Sequence, residues 1–150
     1  MAGKGKHYES QFEEATIELL RESHWQYTFG DDIHRKYTDP LIEEDLRTFL
    51  GAQYKDKKLT ASEMDGIVAN LRNTGGQNDY YAQQNTFLLY RDGYDFTYSD
   101  GRDNPFRLQY IDFEHPDHNI FRCVNQFVME QGRENRRPDI LLFVNGIPVC

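Results

Sequence analysis

The stretch Arg136-Arg137-Pro138-Asp139-Ile140-Leu141-Leu142-Phe143-Val144-Asn145-Gly146-Ile147-Pro148-Val149-Cys150 decides how the rest of the chain is read. Asn145-Gly146 separates two apolar runs, and both residues tolerate the positive φ that a type I′ hairpin turn requires. The turn sets the register: Val144 faces Ile147, Leu142 faces Val149, and Leu141 faces Cys150. Asp139 opens the first strand and stands at the open end of the hairpin, opposite residues past Cys150. An acidic residue opening an apolar strand has two readings. In the plainer one, Pro138-Asp139 closes the preceding loop and the carboxylate caps a backbone amide. In the other, Asp139 meets what the returning strand carries. A second carboxylate and a lysine there would complete a Mg²⁺ site, because two carboxylates and a backbone carbonyl suit a hard ion that keeps several waters.

Upstream of this stretch, Gly132 to Arg137 reads as a charged loop, and Ile120 to Met129 as a strand. His115-Pro116-Asp117 breaks the preceding segment, in which Phe106, Leu108, Tyr110 and Asp112 alternate with Arg107, Gln109, Ile111 and Phe113. Before a polar turn from Ser99 to Pro105, Tyr94, Phe96 and Tyr98 keep the period of a strand. Further back the period becomes helical. Asn78 or Asp79 caps a helix through Tyr81, Phe87 and Leu88 that Gly93 closes. Thr60-Ala61-Ser62-Glu63 is a capping box for a helix carrying Met64, Ile67, Val68 and Leu71, ended by Gly75-Gly76. Asp39-Pro40 reads as an N-cap followed by proline, starting a helix with Leu41, Ile42, Leu46, Phe49 and Leu50 that stops at Gly51. Trp25, Tyr27 and Phe29 alternate up to Gly30. Ser10 with Glu13 has the form of a capping box, starting a helix whose buried stripe is Phe12, Ala15, Thr16, Leu19 and Leu20 and leaving Glu9 just outside it.

The expected class is therefore mixed α/β: a helical region over about residues 8–92, then a strand-rich part over about 94–150. Composition agrees with a globular chain, at 38% hydrophobic and 14% aromatic residues. The net charge of -8 argues against a broad basic face on this segment, although it leaves room for a carboxylate metal site. Two cysteines, Cys123 and Cys150, are too few for a disulfide framework and read as reduced core thiols. No apolar run reaches the length of a membrane span, and residues 1–7 carry no apolar signal region, so a cytoplasmic location is expected.

Several segments resemble the N-terminal nuclease domain of type I restriction enzyme R subunits. They are Asp112-Phe113-Glu114, Asn119, Phe121, Val124-Asn125-Gln126-Phe127, and Arg137-Pro138-Asp139 through Gly146-Ile147-Pro148. Glu9, Phe12, Glu13, Leu20, Trp25, Arg35, Tyr37, Leu46 and the aromatic helix from Tyr80 to Tyr90 are similar too. The resemblance covers most of the chain and is most specific from Asn119 to Pro148. It implies a restriction-endonuclease-like core of the PD-(D/E)xK type, a central mixed sheet flanked by helices. Asp139 would be its Mg²⁺-binding aspartate. Glu9, and after it Glu13, would match an acidic residue from the first helix. The family's glutamate and lysine would lie past Cys150, so the chain is expected to stop before the last core strand is complete and not to cut DNA alone. The resemblance further implies ATP-driven motor domains outside these residues, double-stranded DNA as substrate, and methyltransferase and specificity subunits as partners. No phosphate loop of Walker type occurs here.

Two other classes remain open: a non-catalytic docking domain of nuclease-like fold, which the acidic charge suits, and a stand-alone repair-type nuclease. Arg136 and Arg137 read either as phosphate contacts beside a cut site or as a solvated loop. His115 and His118 have metal-like spacing but lack cysteine partners, and they read as a surface turn. Asp31-Asp32 with His34 reads as a charged turn before a strand, and Glu43-Glu44-Asp45 as the solvated first turn of a helix. Arg102 and Arg107 read as strand-edge charges. Gln126 either orients the site or satisfies buried backbone.

Overall fold

The hairpin forms as its turn residues dictate. Asn145 and Gly146 take φ values of 52° and 77°. They join strands at Ile140–Val144 and Ile147–Pro148 that pair antiparallel, Val144 opposite Ile147. The Val149 N–H donates to the Leu142 carbonyl at 2.9 Å, continuing that register. The pairing of Leu141 with Cys150 lies outside the residues described. This computed structural model describes residues 3–74 and 80–149. Among them are helices α1 (Gly3–Glu22), α2 (Glu43–Gln53), α3 (Ala61–Thr74) and α4 (Tyr80–Asp92). The strands are β1 (Gln26–Phe29), β2 (Tyr94–Phe96), β3 (Phe106–Leu108), β4 (Phe121–Asn125), β5 (Met129–Gln131), β6 (Glu134–Arg136), β7 (Ile140–Val144) and β8 (Ile147–Pro148). The architecture is mixed α/β, as the periodicities imply, and the chain divides into two compact units.

The first unit joins residues up to Ile42 with those from Ile120 onward. Its sheet runs β1-β4-β7-β8, with β1 parallel to β4 and the other pairs antiparallel. One sheet face packs Val124 and Phe143 with Phe127 and Ile42, joined by Ile33, Leu141 and Met129. The Phe127 and Phe143 rings lie 5.0 Å apart, and the Arg35 guanidinium sits 3.4 Å above Phe127. Arg35 also donates to the Asp39 carbonyl at 2.9 Å and to the Val128 carbonyl, fastening the loop from Ile33 to the end of the sheet. Cys123 is a buried free thiol, as expected, and burial pushes its pKa up.

The second unit, Glu43–Asn119, packs Leu46, Phe49 and Leu50 of α2, Ile67, Val68 and Leu71 of α3, and Phe96 and Leu108 of the β2–β3 hairpin. The capping box at Thr60 forms: its hydroxyl accepts the Glu63 N–H at 3.1 Å and donates to the Glu63 carboxylate at 3.0 Å. Gly93 ends α4 with φ 67°, where any Cβ would collide with the Leu108 carbonyl. The expected Gly75-Gly76 stop and the Asn78 or Asp79 cap fall outside the described residues.

The other boundaries shift for physical reasons. Helix α1 is already formed at Gly3, so Ser10 and Glu9 lie inside it and the Ser10–Glu13 pair is no cap. A capping box satisfies orphan N–H groups only where a helix begins, and this helix begins well ahead of Ser10. The partly covered stripe of α1 is Glu13, Thr16, Ile17 and Leu20, while Phe12 is 78% and Leu19 64% exposed. Helix α2 starts at Glu43 rather than after Pro40, because the Asp39 carboxylate turns back onto the Leu41 N–H at 3.1 Å. It then runs past Gly51 to Gln53. The segment after Phe106 pairs only to Leu108, although burial still alternates through Tyr110 and Asp112. The strand begun at Phe121 breaks at Gln126, whose φ is 56°. The charged loop contains the β5–β6 hairpin, turning at Gly132 with φ 63°. Asp31-Asp32 does form a short 3₁₀ turn, but the loop after it is not a strand.

Candidate functional site

The sequence-predicted residues gather at one end of the first unit's sheet, where β1 and β4 finish and β7 begins. β4 ends at Asn125, paired with Phe29 of β1 and Ile140 of β7. The Asn125 amide N–H donates to the Glu13 carboxylate at 3.1 Å, and its carbonyl oxygen accepts the Tyr27 hydroxyl at 2.7 Å. A tyrosine on β1 and an asparagine on β4 thus hold a carboxylate on α1. Burial raises the Tyr27 pKa, opposed by Arg21, whose guanidinium lies 4.8 Å above its ring. The hydroxyl therefore stays a donor. Glu9 sits one turn before Glu13 on the same helix face, exposed.

One residue further, the Gln126 N–H donates to the Asp139 carbonyl at 3.1 Å. Gly30 passes so close to the Gln126 carbonyl that a Cβ there would overlap it, which lets the chain turn where β1 and β4 end. The backbone of Asp139 is therefore fixed. Its side chain is exposed, and among the described residues the carboxylate has neither a hydrogen bond nor an ion pair. Among the described residues the Asp139 carboxylate caps no backbone amide, while the chain bends at Asp139 as it enters β7. By strand alternation Asp139 falls on the sheet side of Leu141 and Phe143, whereas Asn125 and Ile140 face the other side. Glu13 and Asp139 thus share an end of the sheet without sharing a face.

The two arginines are exposed. Arg137 lies 3.9 Å from Asp31, and Arg136, on β6, lies 3.5 Å from Glu134. Such exposed pairs are weak and readily exchanged for another anion. The chemistry at this end is oxygen-donor chemistry, and carboxylates with water are what a hard cation takes. Asp139, Glu13 and Glu9 do not converge into a three-ligand group among the described residues.

In the second unit, Arg102 is no strand-edge charge. It pairs with Glu63 at 2.7 Å and Asp100 at 3.0 Å, and its guanidinium is the main cause holding the Glu63 carboxyl below its ordinary range. Arg107 does sit on β3, 3.1 Å from Asp95 across the hairpin. His115 and His118 form the expected turn, around Asp112, which is 6% exposed. Three features went unseen in the sequence: the Tyr27–Asn125–Glu13 chain, the Arg35 clasp and the gathering at Asp112. The first two join residues about a hundred positions apart and leave no local pattern. The third left one, an Asp three residues before a histidine and six before another.

Comparison with known proteins identifies the family. Residues 7–150 match the family model described as the N terminus of the type I restriction enzyme R protein. The chain is 26% identical over 151 residues to the type I restriction enzyme HindI endonuclease subunit of Haemophilus influenzae, an alignment covering 94% of the chain and 14% of that relative. Over 46 residues it is 47% identical to a protein named for the MjaIXP type I restriction enzyme endonuclease subunit of Methanocaldococcus jannaschii, covering 29% of the chain and 4% of that relative. No solved structure matches it. The chain spans a small part of these curated relatives and belongs to the family of type I restriction enzyme R protein N termini.

Proposed function

We propose that this chain is part of the DNA-cutting module of a type I restriction enzyme, hydrolysing phosphodiesters of double-stranded DNA with Mg²⁺ as a PD-(D/E)xK nuclease. One observation carries the reading: the Asp139 carboxylate stands exposed, without a partner among the described residues, on a backbone that Gln126 engages. The carboxylate oxygens are thus open to water and to a cation. Family membership and the names of the relatives support the same activity.

Asp139 would hold Mg²⁺, and Glu13, with Glu9 one turn before it, would add negative charge at the same end of the sheet. When bound, the ion activates a water and stabilises charge on the phosphate. The chain's own residues do the positioning. Gln126 fixes where β7 begins, Asn125 and Tyr27 hold Glu13, and Arg137 and Arg136 offer guanidinium forks to the DNA backbone. Sequence recognition would rest with a specificity subunit, modification with a methyltransferase subunit, and ATP-driven movement with motor domains elsewhere in the full-length protein. The whole would work in the cytoplasm. The docking alternative is favoured by exposed Phe12 and Leu19 on one side of α1.

The test is plasmid cleavage by the assembled enzyme with Mg²⁺ and ATP, comparing wild type with Asp139→Ala and following ATP hydrolysis in parallel. The nuclease reading predicts loss of cleavage with hydrolysis retained. Cleavage at the wild-type rate would turn the module into a docking domain.

A further inference from the structure

The loop between β3 and β4 gathers three side chains around one oxygen. Asp112 Oδ2 lies 3.0 Å from His118 Nδ1 and 3.6 Å from His115 Nδ1. The two imidazoles stack with centroids 4.9 Å apart and planes 17° from parallel. Ligand atoms of all three residues fall within 4.8 Å of one another, and among the described residues no other group of three does so. All three belong to the second unit, apart from the proposed cutting site.

The carboxylate is already held in place. Oδ1 accepts the backbone N–H groups of Glu114 at 3.0 Å and His115 at 2.9 Å. Oδ2 accepts the Gln53 amide at 2.8 Å. Asn119 bridges the loop's ends, accepting the Asp112 N–H at 2.9 Å and donating to the Asp112 and Pro116 carbonyls at 2.8 and 3.1 Å. The loop therefore fixes the carboxylate before any ion arrives, as outer partners do in metal sites.

Oδ2 has two lone-pair directions, and Gln53 and the His118 ring take one each. His115 Nδ1 stands 3.6 Å away, beyond hydrogen-bond distance, so hydrogen bonding does not account for its place beside the carboxylate. A metal ion in place of the shared proton would engage all three residues, each imidazole and Oδ2 giving it one lone pair. Zinc bonds of roughly 2.0–2.1 Å in tetrahedral geometry place neighbouring ligand atoms about 3.3 Å apart. The two observed oxygen–nitrogen separations bracket that edge.

We propose that Asp112, His115 and His118 bind a borderline divalent transition ion, Zn²⁺ foremost, with water completing its shell on the solvent side. Two imidazoles and one carboxylate select such an ion over Mg²⁺. The histidine side chains are 60% and 49% exposed, so the ion enters from solvent and the rings adjust to close the third edge. The site anchors the 112–119 loop.

The test uses the 150-residue chain stripped of metal, titrated calorimetrically with Zn²⁺ and spectroscopically with Co²⁺. One Zn²⁺ per chain is expected, with Co²⁺ giving the visible absorption of a low-coordinate nitrogen–oxygen site. A large excess of Mg²⁺ leaves both unchanged. His115→Gln and His118→Gln each weaken binding at least about tenfold, while His24→Gln and His34→Gln do not. Both sites of substitution are exposed, so folding of the variants is checked by circular dichroism. In a second readout, Zn²⁺ raises the wild-type melting temperature and fails to raise that of the double variant. Absence of stoichiometric binding overturns the proposal, as does unchanged binding in the double variant or displacement of Zn²⁺ by Mg²⁺.

Discussion

Asp112 and Asp139 each stand at the end of an alternating apolar segment, one in each compact unit, and their surroundings differ at every point. Asp112 is 6% exposed and accepts two backbone N–H groups and the Gln53 amide. Those contacts, led by the His115 N–H, hold its carboxyl down at about 2 from an ordinary 3.8. Asp139 is exposed, and only its backbone carbonyl is engaged, by Gln126. At Asp112 the donors tie Oδ1 and one side of Oδ2 to the fold, leaving only the other side of Oδ2 for the proposed ion. A carboxylate left open on a fixed strand contributes little to stability and keeps its oxygens for a ligand.

The sharpest challenge to that contrast is to loosen the strand on which Asp139 rests. Phe143 of β7 is fully buried against Phe127, and Phe143→Ala should cost about 3–5 kcal/mol in denaturant unfolding. A much smaller loss would mean that the sheet is no rigid support. Next comes Asp112→Ala, which leaves two backbone N–H groups without their acceptor and should cost about 2–3 kcal/mol. The same carboxylate sets a pH dependence. Its folded pKa lies below its unfolded one, so its stabilisation is complete above the ordinary carboxylate range and is lost as pH falls towards about 2. Urea midpoints of wild type and Asp112→Asn should therefore converge between about pH 4 and pH 2. Thr60→Ala removes the cap of α3 and should cost about 1 kcal/mol. Arg47→Met breaks the ion pairs with Glu43 and Asp65, all partly or fully exposed, and should shift stability by no more than about 1 kcal/mol. Asp139→Ala should change least, within about 0.5 kcal/mol.

What could be read from the sequence follows the range of the forces involved. The Asn145-Gly146 hairpin, the Thr60 cap and the stop at Gly93 are decided within a few residues, and all three stand where expected. Starts that looked equally local gave way to their surroundings. Ser10 is crossed by a longer helix, and the Asp39 carboxylate closes a turn three residues ahead of α2. The stripe on α1 was read one step out of phase because Phe12 and Leu19 are apolar, while the covered face carries Glu13, held by Asn125. No periodicity rule predicts a carboxylate on the buried side. The break at Gln126 depends on Gly30 and Asp139 meeting it from distant parts of the chain, so Ile120 to Met129 looked like one continuous strand. The position of Asp139 was legible, because the hairpin register alone places it at the strand's open end.

The most direct test pairs two measurements on one variant, Asp139→Ala in the full assembly: thermal unfolding, and plasmid cleavage with Mg²⁺ and ATP beside ATP hydrolysis. The account predicts an unchanged melting temperature, continued ATP hydrolysis and no cleavage. Undiminished cleavage, or a loss of cleavage that merely follows a drop in melting temperature, would contradict it.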